Sequence, residues 1–205
     1  TAVLALLSVL LGAGRAEALR PALRTYGVAD GLKYSQVFCV AEDRDGMIWA
    51  GTSYGVSRYD GRRFSSLTSR EGLPHDSVSA LAVTADGTVW AATQEGLARI
   101  APAAGPLGEP RVVPLAPGAR EPGFKPLLLV ASGDDVWAGD GSRVELLSGG
   151  KFRPVPLPEG FGPRVVALGP AEADGCWAGS AAGLARLSLA GGAKVLPLPP
   201  ELGAP

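Results

Sequence analysis

A tryptophan-containing hairpin that recurs along the chain constrains the fold more than any other sequence feature. In the first copy, residues 43–60, an Asp45-Gly46 turn precedes a short β-favouring run around Trp49. A second turn at residues 53–55 leads into residues 56–59, which alternate apolar and polar with the period of a half-buried strand. Asp and Gly tolerate the positive φ angles that tight hairpin turns require, so the segment predicts two antiparallel strands.

Three further copies of this hairpin follow, and each carries one tryptophan at the same place. The tryptophans are separated by 41, 47 and 40 residues, and they are Trp49, Trp90, Trp137 and Trp177. Several short strands in units of about 40 residues are typical of a β-propeller with four-stranded blades. We therefore predict blades at about residues 30–68, 71–116, 122–156 and 159–198. The four tryptophans are predicted to be structural, filling the space between adjacent blades, while the Ala and Gly residues after them let the sheets approach closely.

Composition supports an all-β chain. The 29 glycines and 18 prolines require frequent turns, and helical spacing of apolar residues is confined to the first dozen positions. Residues 23–26 predict a further short strand before the first unit, and residues 165–168 predict the inner strand of the fourth unit. The net charge of −1 is spread along the chain without a basic stripe, which argues against a nucleic-acid partner.

Residues 1–18 differ from the rest. Residues 2–11 are apolar except for Ser8, and Ala16-Glu17-Ala18 fits the small-residue cleavage site of a secretory signal. A buried helix or strand is the alternative. The run is too short for a membrane span, which needs about 20 apolar residues. We predict a signal peptide truncated at its start, an exported partial propeller over residues 19–205, and a periplasmic or extracytoplasmic location.

The two cysteines and the recurring charged residues allow structural interpretations. Cys39 and Cys176 occupy different places in their repeats, and a disulfide needs Cα atoms within about 7 Å, so we expect two free, buried thiols. Arg58, Arg99 and Arg186 recur at one position. They could form a ring of ligand contacts, but their recurrence favours packing over a neighbouring blade. The Asp of each Asp-Gly pair is expected to form a turn rather than to bind calcium.

The repeat resembles that of the two-component regulator propeller family. The resemblance covers about residues 23–200 and is weakest in the third unit, which lacks the Gly of the Asp-Gly pair. It is carried by Gly31 to Arg58 and, in the second unit, by Gly72-Leu73-Pro74, Ser77-Val78, Asp86-Gly87, Trp90, Thr93, Gly96-Leu97 and Arg99. The resemblance implies an incomplete ring of a seven-bladed propeller. It also implies the periplasmic sensor of a membrane-bound hybrid histidine kinase or diguanylate cyclase, acting on downstream domains and homodimeric in its full-length form.

The sequence carries no catalytic constellation: it has a single histidine, no nucleophile elbow and no phosphate-binding loop. We predict no metal, no cofactor and no catalytic residues, and a sensor that binds an unknown small molecule or glycan. The candidate ligand-binding residues lie in the connectors between blades, and they are Lys33, Tyr34, His75, Asp76 and Arg164. The alternative is a periplasmic propeller enzyme resembling the streptogramin lyases, in which His75 beside Asp76 is a general base.

Overall fold

The structure, a computed structural model, describes residues 23–102, 108–115, 123–171, 175–188 and 194–197. The predicted signal peptide lies outside these residues. Within them the chain forms sixteen strands in four separate four-stranded antiparallel sheets. The predicted all-β architecture of four-stranded blades is confirmed.

The strands of each sheet follow one another along the chain. The first sheet contains β1 (Val37–Glu42), β2 (Ile48–Thr52), β3 (Gly55–Tyr59) and β4 (Phe64–Leu67). The second contains β5 (Val78–Val83), β6 (Val89–Thr93), β7 (Gly96–Ala101) and β8 (Arg111–Val113). The third contains β9 (Leu128–Ser132), β10 (Asp135–Gly139), β11 (Val144–Ser148) and β12 (Lys151–Val155). The fourth contains β13 (Ala167–Ala171), β14 (Gly175–Ser180), β15 (Gly183–Ser188) and β16 (Lys194–Pro197).

The first strand of each sheet lies on the inner side of the arrangement. Strand β1 contacts β5, β5 contacts β9, and β9 contacts β13, so the chain enters every sheet at its inner strand and leaves at its outer strand. Each sheet therefore has two ends. We call the end where the inner strand begins the connector face, because the segment from the preceding sheet arrives there. The opposite end, which carries the turn between the first two strands, is the hairpin face.

The Asp-Gly turn of the first sheet shows why its sequence forms a hairpin. One carboxylate oxygen of Asp43 accepts hydrogen bonds from the backbone N–H groups of Asp45 and Met47, both at 3.0 Å. The other oxygen accepts from Nε1 of Trp49 at 2.7 Å. Gly46 completes the turn at φ 77°, in the left-handed region that favours glycine. A single aspartate thus joins the turn to the tryptophan that follows it.

Three of the four tryptophans lie between two described sheets. Trp49 packs against the second sheet, Trp90 against the third, and Trp137 is fully buried between the third and the fourth. Trp177 lies on the face of the fourth sheet that no described sheet covers, and it is only half-buried. Burial of one such side chain contributes roughly 4–6 kcal/mol as an upper estimate.

Two predicted strands differ in the structure. Residues 23–27 form no strand; instead the ring of Tyr26 packs against Tyr59 and Phe64, with centroids 4.9 and 6.0 Å apart. The inner strand of the fourth sheet was predicted from residue 165 but begins at Ala167. The backbone N–H of Val165 donates to the carbonyl of Gly141 in the third sheet at 2.8 Å, so this residue still belongs to the connector. No helix in the described part of the chain is long and apolar enough to cross a membrane.

Candidate functional site

The first two connectors are stiffened by the same local motif. In the second, Thr68 and Glu71 form a capping box around a short 3-10 turn: Oε2 of Glu71 accepts from the Thr68 N–H at 2.7 Å and from its hydroxyl at 2.6 Å. These bonds hold the pKa of the Glu71 carboxyl below its ordinary value. Gly72 follows at φ 105°, and the buried Leu73 anchors the segment in the core. The first connector keeps the carboxylate half of this motif: Oδ2 of Asp30 accepts from the Gly27 N–H at 2.8 Å, and Gly31 at φ 102° and the buried Leu32 follow, so both connectors hold the residues after them in place.

His75 and Asp76 each use one side-chain atom to accept a hydrogen bond from the backbone of their own connector. The backbone N–H of Ser77 donates to Nδ1 of His75 at 2.9 Å, and the N–H of Ser69 donates to Oδ1 of Asp76 at 2.6 Å. The two side chains share no hydrogen bond in the described structure. Because Nδ1 is an acceptor, the neutral imidazole carries its proton on Nε2, which is the atom available to a ligand. The geometry suits a binding contact better than a histidine oriented by an aspartate for proton transfer.

An aromatic pair lies at the same face of the first sheet. The rings of Tyr34 and Tyr54 are 4.7 Å apart between centroids at an interplanar angle of 43°. Both side chains remain open to solvent, at 38% and 54% of their full exposure. Lys33, next in the chain to Tyr34, is exposed and is held through its backbone N–H, which donates to the hydroxyl of Ser57 at 3.1 Å. Two exposed, mutually supported phenol rings form a flat apolar surface with polar tips.

The connector of the second sheet meets the turn that carries this aromatic pair. The backbone N–H of Gly55, directly after Tyr54, donates to the backbone carbonyl of Asp76 at 2.7 Å. The structure therefore brings four of the predicted residues to one corner, between the first and second sheets: Lys33, Tyr34, His75 and Asp76.

Arg164 lies elsewhere. It belongs to the connector between the third and fourth sheets, where it lines a separate cavity of about 240 Å³ with Leu127, Val166 and Gly141. The five candidate residues thus share a face of the molecule but form two sites, and the corner at the first two sheets holds most of them.

Tyr54 is the site residue that the sequence analysis missed. It was assigned to the repeated hairpin and therefore treated as scaffold. Its position is occupied by Glu95 and Ala182 in the second and fourth units, so the copies differ exactly where the side chain is exposed. That difference between otherwise similar repeats is the signal that identifies it.

The described residues offer little for covalent or metal chemistry. Burial raises the pKa of the Cys39 thiol to about 11 and that of Cys176 to about 12, which disfavours the nucleophilic thiolate. Both residues are free thiols, in β1 and β14 respectively, with Cys176 buried and Cys39 half-buried. No group of three His, Cys, Asp or Glu side chains that could hold a metal ion occurs in the described ranges.

Comparison of structures places the chain among known propellers. The extracellular domain of BT3049 from B. thetaiotaomicron, described as a hybrid two component system, matches with a TM-score of 0.63 at 18% identity, over 82% of this chain and 24% of that one. A streptogramin B lyase matches with a TM-score of 0.61 at 18% identity, over 82% and 57%. The virginiamycin B lyase from Staphylococcus aureus matches with a TM-score of 0.57 at 17% identity, over 79% and 55%.

These similarities establish the fold, and the chain spans between a quarter and somewhat over half of the proteins it resembles. A search of curated proteins gave no match. Two segments, residues 31–54 and 72–95, match the family model described as the two component regulator propeller. Each runs from the left-handed glycine of a connector to the turn after the tryptophan strand. The chain has a β-propeller fold, and two of its repeats match the model of the two-component regulator propeller family.

Proposed function

We propose that this chain is the ligand-binding part of an extracytoplasmic sensor that belongs to a membrane-bound signalling protein. The observation that carries the proposal is the exposed Tyr34–Tyr54 pair at the corner where the first two sheets meet. The family match and the similarity to the extracellular domain of a hybrid two component system support a sensing role and an extracytoplasmic location.

The corner has the properties of a recognition surface rather than of a reaction centre. The phenol rings offer an apolar face to a flat ligand or to the apolar side of a sugar ring, while their hydroxyls offer hydrogen bonds. Lys33 and Nε2 of His75 add donors beside it. The connector bonds hold these groups on a stiff frame, so a ligand is bound without a large cost of ordering the protein.

Binding at this corner would couple the two sheets. A ligand that contacts Tyr54 in the first sheet and His75 in the second connector adds to the bond between Gly55 and Asp76 that already joins them. A change in the relative position of two adjacent sheets could be transmitted to downstream domains of the same protein. In a homodimeric full-length protein, both copies would carry this corner.

The proposal is tested by titrating the intact protein with a panel of oligosaccharides and small metabolites, using calorimetry. For a ligand found in this way, Tyr54→Ala is expected to weaken binding at least about tenfold, because one stacking surface is lost, while Tyr54→Phe keeps most of the affinity. Arg164→Ala, at the separate cavity on the same face, is the matched control and should leave binding unchanged. Equal loss in both alanine variants, or no loss in Tyr54→Ala, would place the ligand elsewhere.

A propeller lyase is the second candidate function. It is favoured by the similarity to the two lyase structures and by Nε2 of His75, whose N–H could donate a proton to a leaving group as a general acid. The assay is turnover of a streptogramin by the intact protein, followed by mass spectrometry. Turnover that disappears in His75→Ala would support the enzyme; no turnover by the wild type would leave the sensor.

A further inference from the structure

A cavity of about 420 Å³ opens between the second and third sheets at the hairpin face, opposite the connector face. Its size lies in the lower part of the range of small-molecule sites, about 300–1,000 Å³. The walls combine charged groups with apolar side chains, and the six that matter for the argument are Asp86, Trp90, Arg99, Leu115, Asp134 and Leu147.

The cavity exists because one hairpin turn has no side chains. At the equivalent place between the first two sheets, residues 108–110 of the second sheet cover Arg58: its guanidinium donates to the carbonyl of Gly108 at 2.8 Å and lies 5.8 Å from the centroid of the Trp49 ring. In the third sheet, β11 and β12 are joined only by Gly149 and Gly150, both at positive φ. This turn lines the cavity without filling it.

Arg99 is consequently the counterpart of Arg58 with a different environment. Arg58 is 6% exposed and held by a carbonyl, whereas Arg99 is exposed and lines the open cavity. The Arg99 guanidinium makes no direct hydrogen bond to the part of the chain that the structure describes, although its charge helps to lower the pKa of Asp86 across the cavity. Five N–H donors in a rigid fork therefore face a space that can admit a ligand carboxylate.

Two carboxylates line the same cavity. Both oxygens of Asp86 are bound within its own turn: Oδ1 accepts from the Thr84 hydroxyl at 2.6 Å and from the Thr88 N–H at 2.9 Å, and Oδ2 accepts from the Thr88 hydroxyl at 2.9 Å. Burial alone would raise the pKa of Asp86, but these bonds and the charge of Arg99 outweigh it and hold that pKa below its ordinary value, so the group stays ionised.

Asp134 is the carboxylate that is available to a ligand. Its Oδ1 accepts from the backbone N–H of Asp86 at 3.0 Å, and its Oδ2 accepts no hydrogen bond from the described part of the chain. The charges of the cavity then decide the class of ligand. A simple anion attracted by Arg99 is repelled by two aspartates, and a simple cation attracted by the aspartates is repelled by Arg99. A molecule that carries both charges satisfies all of them.

We propose that this cavity binds a free α-amino acid with an apolar side chain. Its carboxylate pairs with Arg99, its ammonium group with Oδ2 of Asp134, and its side chain lies against Trp90, Leu115 and Leu147. The site is distinct from the connector face, so the outcome for one does not determine the outcome for the other.

The test uses three matched probes, L-leucine, N-acetyl-L-leucine and L-leucinamide, titrated into the intact protein by calorimetry. L-Leucine is expected to bind saturably below about 10 mM, and each derivative, which lacks one of the two charges, at least about tenfold more weakly. Equal binding of the three probes would overturn the proposal, as would the absence of saturable L-leucine binding.

Two variants test which side chain binds each charged group of the ligand, and a third variant serves as a control. Arg99→Gln and Asp134→Asn should each weaken L-leucine binding about tenfold or more. Arg186→Gln, at the same repeat position in the fourth sheet, should leave it unchanged. Asp134 lies on the surface, and its asparagine variant keeps an acceptor for the Asp86 N–H, so this variant remains informative if Arg99→Gln fails to fold. Unchanged binding in a folded Asp134→Asn variant would refute the assignment of the ammonium contact.

Discussion

Substitution of Gly51 by alanine would test how closely the first two sheets are packed. The residue follows Trp49-Ala50 in β2, on the face that meets the second sheet. A methyl group added there would stand 2.5 Å from Sγ of Cys39 and 2.8 Å from Cγ1 of Val78. Ordinary contacts between such atoms are about 3.5–4.0 Å, so one or both neighbours must move by roughly 1 Å. Val78 is β-branched and fully buried, so it has little freedom to do so.

Gly51→Ala is therefore expected to be destabilising. Overpacking of a well-packed core costs about 1–3 kcal/mol, and the lower entropy of the unfolded alanine chain offsets about 0.4–1 kcal/mol of that. A net loss of about 1–2 kcal/mol should lower Tm by about 2–8 °C for a chain of this length. Urea unfolding followed by tryptophan fluorescence measures it, since the tryptophans lie at the sheet interfaces.

The chain provides its own control for this substitution. Gly179 occupies the same repeat position in β14, but a methyl group there would lie 3.5 Å from Cβ of Ala167, which is ordinary contact. Gly179→Ala should be neutral or slightly stabilising. Replacing both Cys39 and Val78 with Ala should also make Gly51→Ala less costly, because the two clashing atoms are gone. Equal effects of the two glycine substitutions would refute the close-approach argument.

Three further predictions concern burial and ionisation. Trp137→Ala should cost about 3–5 kcal/mol in the free energy of unfolding, and Trp177→Ala clearly less, since only Trp137 is fully buried; equal losses in urea unfolding would contradict this. The pKa of the Cys176 thiol is about 12 when folded and 9.0 ordinarily, so the unfolded chain ionises first. Stability should therefore fall as pH rises above about 9, and Cys176→Ala should reduce that fall in urea titrations. Burial would raise the pKa of the Asp140 carboxyl, but hydrogen bonds from Ser142 and Arg143 outweigh it and lower that pKa below its ordinary 3.8. The ionised carboxylate therefore stabilises the folded state above pH 3.8, and this stabilisation is lost as the pH falls further. Asp140→Asn should flatten that acid limb in thermal unfolding, and an unchanged limb would contradict the assignment.

The repeated elements of the fold could be predicted because each one is determined locally. Trp49 recurs in the sequence because each sheet needs a large side chain to fill the space beside it, and Gly46 recurs as Gly87 because their turns require positive φ. The start of β13 was misplaced because residues 165 and 166 look like a strand in sequence, whereas the N–H of Val165 donates to Gly141 of the third sheet and only the N–H of Val166 donates to β14, at Gly179. Such pairing depends on partners that are distant in the chain.

The candidate sites could be predicted only in part, for the same reason. The connectors were identified from the differences between repeats, but the contact between Tyr34 and Tyr54 joins a connector to a turn twenty residues later. The sequence also treats Arg58 and Arg99 as equivalent. Their environments differ because the connection between the third and fourth strands is long in the second sheet and only two glycines in the third. The length of one loop decides whether an arginine is buried or lines a cavity.

The Gly149-Gly150 turn has a consequence for how this protein can be altered. A surface loop lengthens at a small entropic cost, about 0.6 kcal/mol for each doubling of its length. Neither glycine has a neighbouring atom within 4 Å of where a Cβ would stand, so an insertion would enter open space at the mouth of the cavity. The four sheets and their tryptophans would stay as they are. The sequence of the Gly149-Gly150 hairpin can therefore be changed to alter which ligands the cavity binds. This makes it a suitable position for redesigning specificity while the core residues stay unchanged.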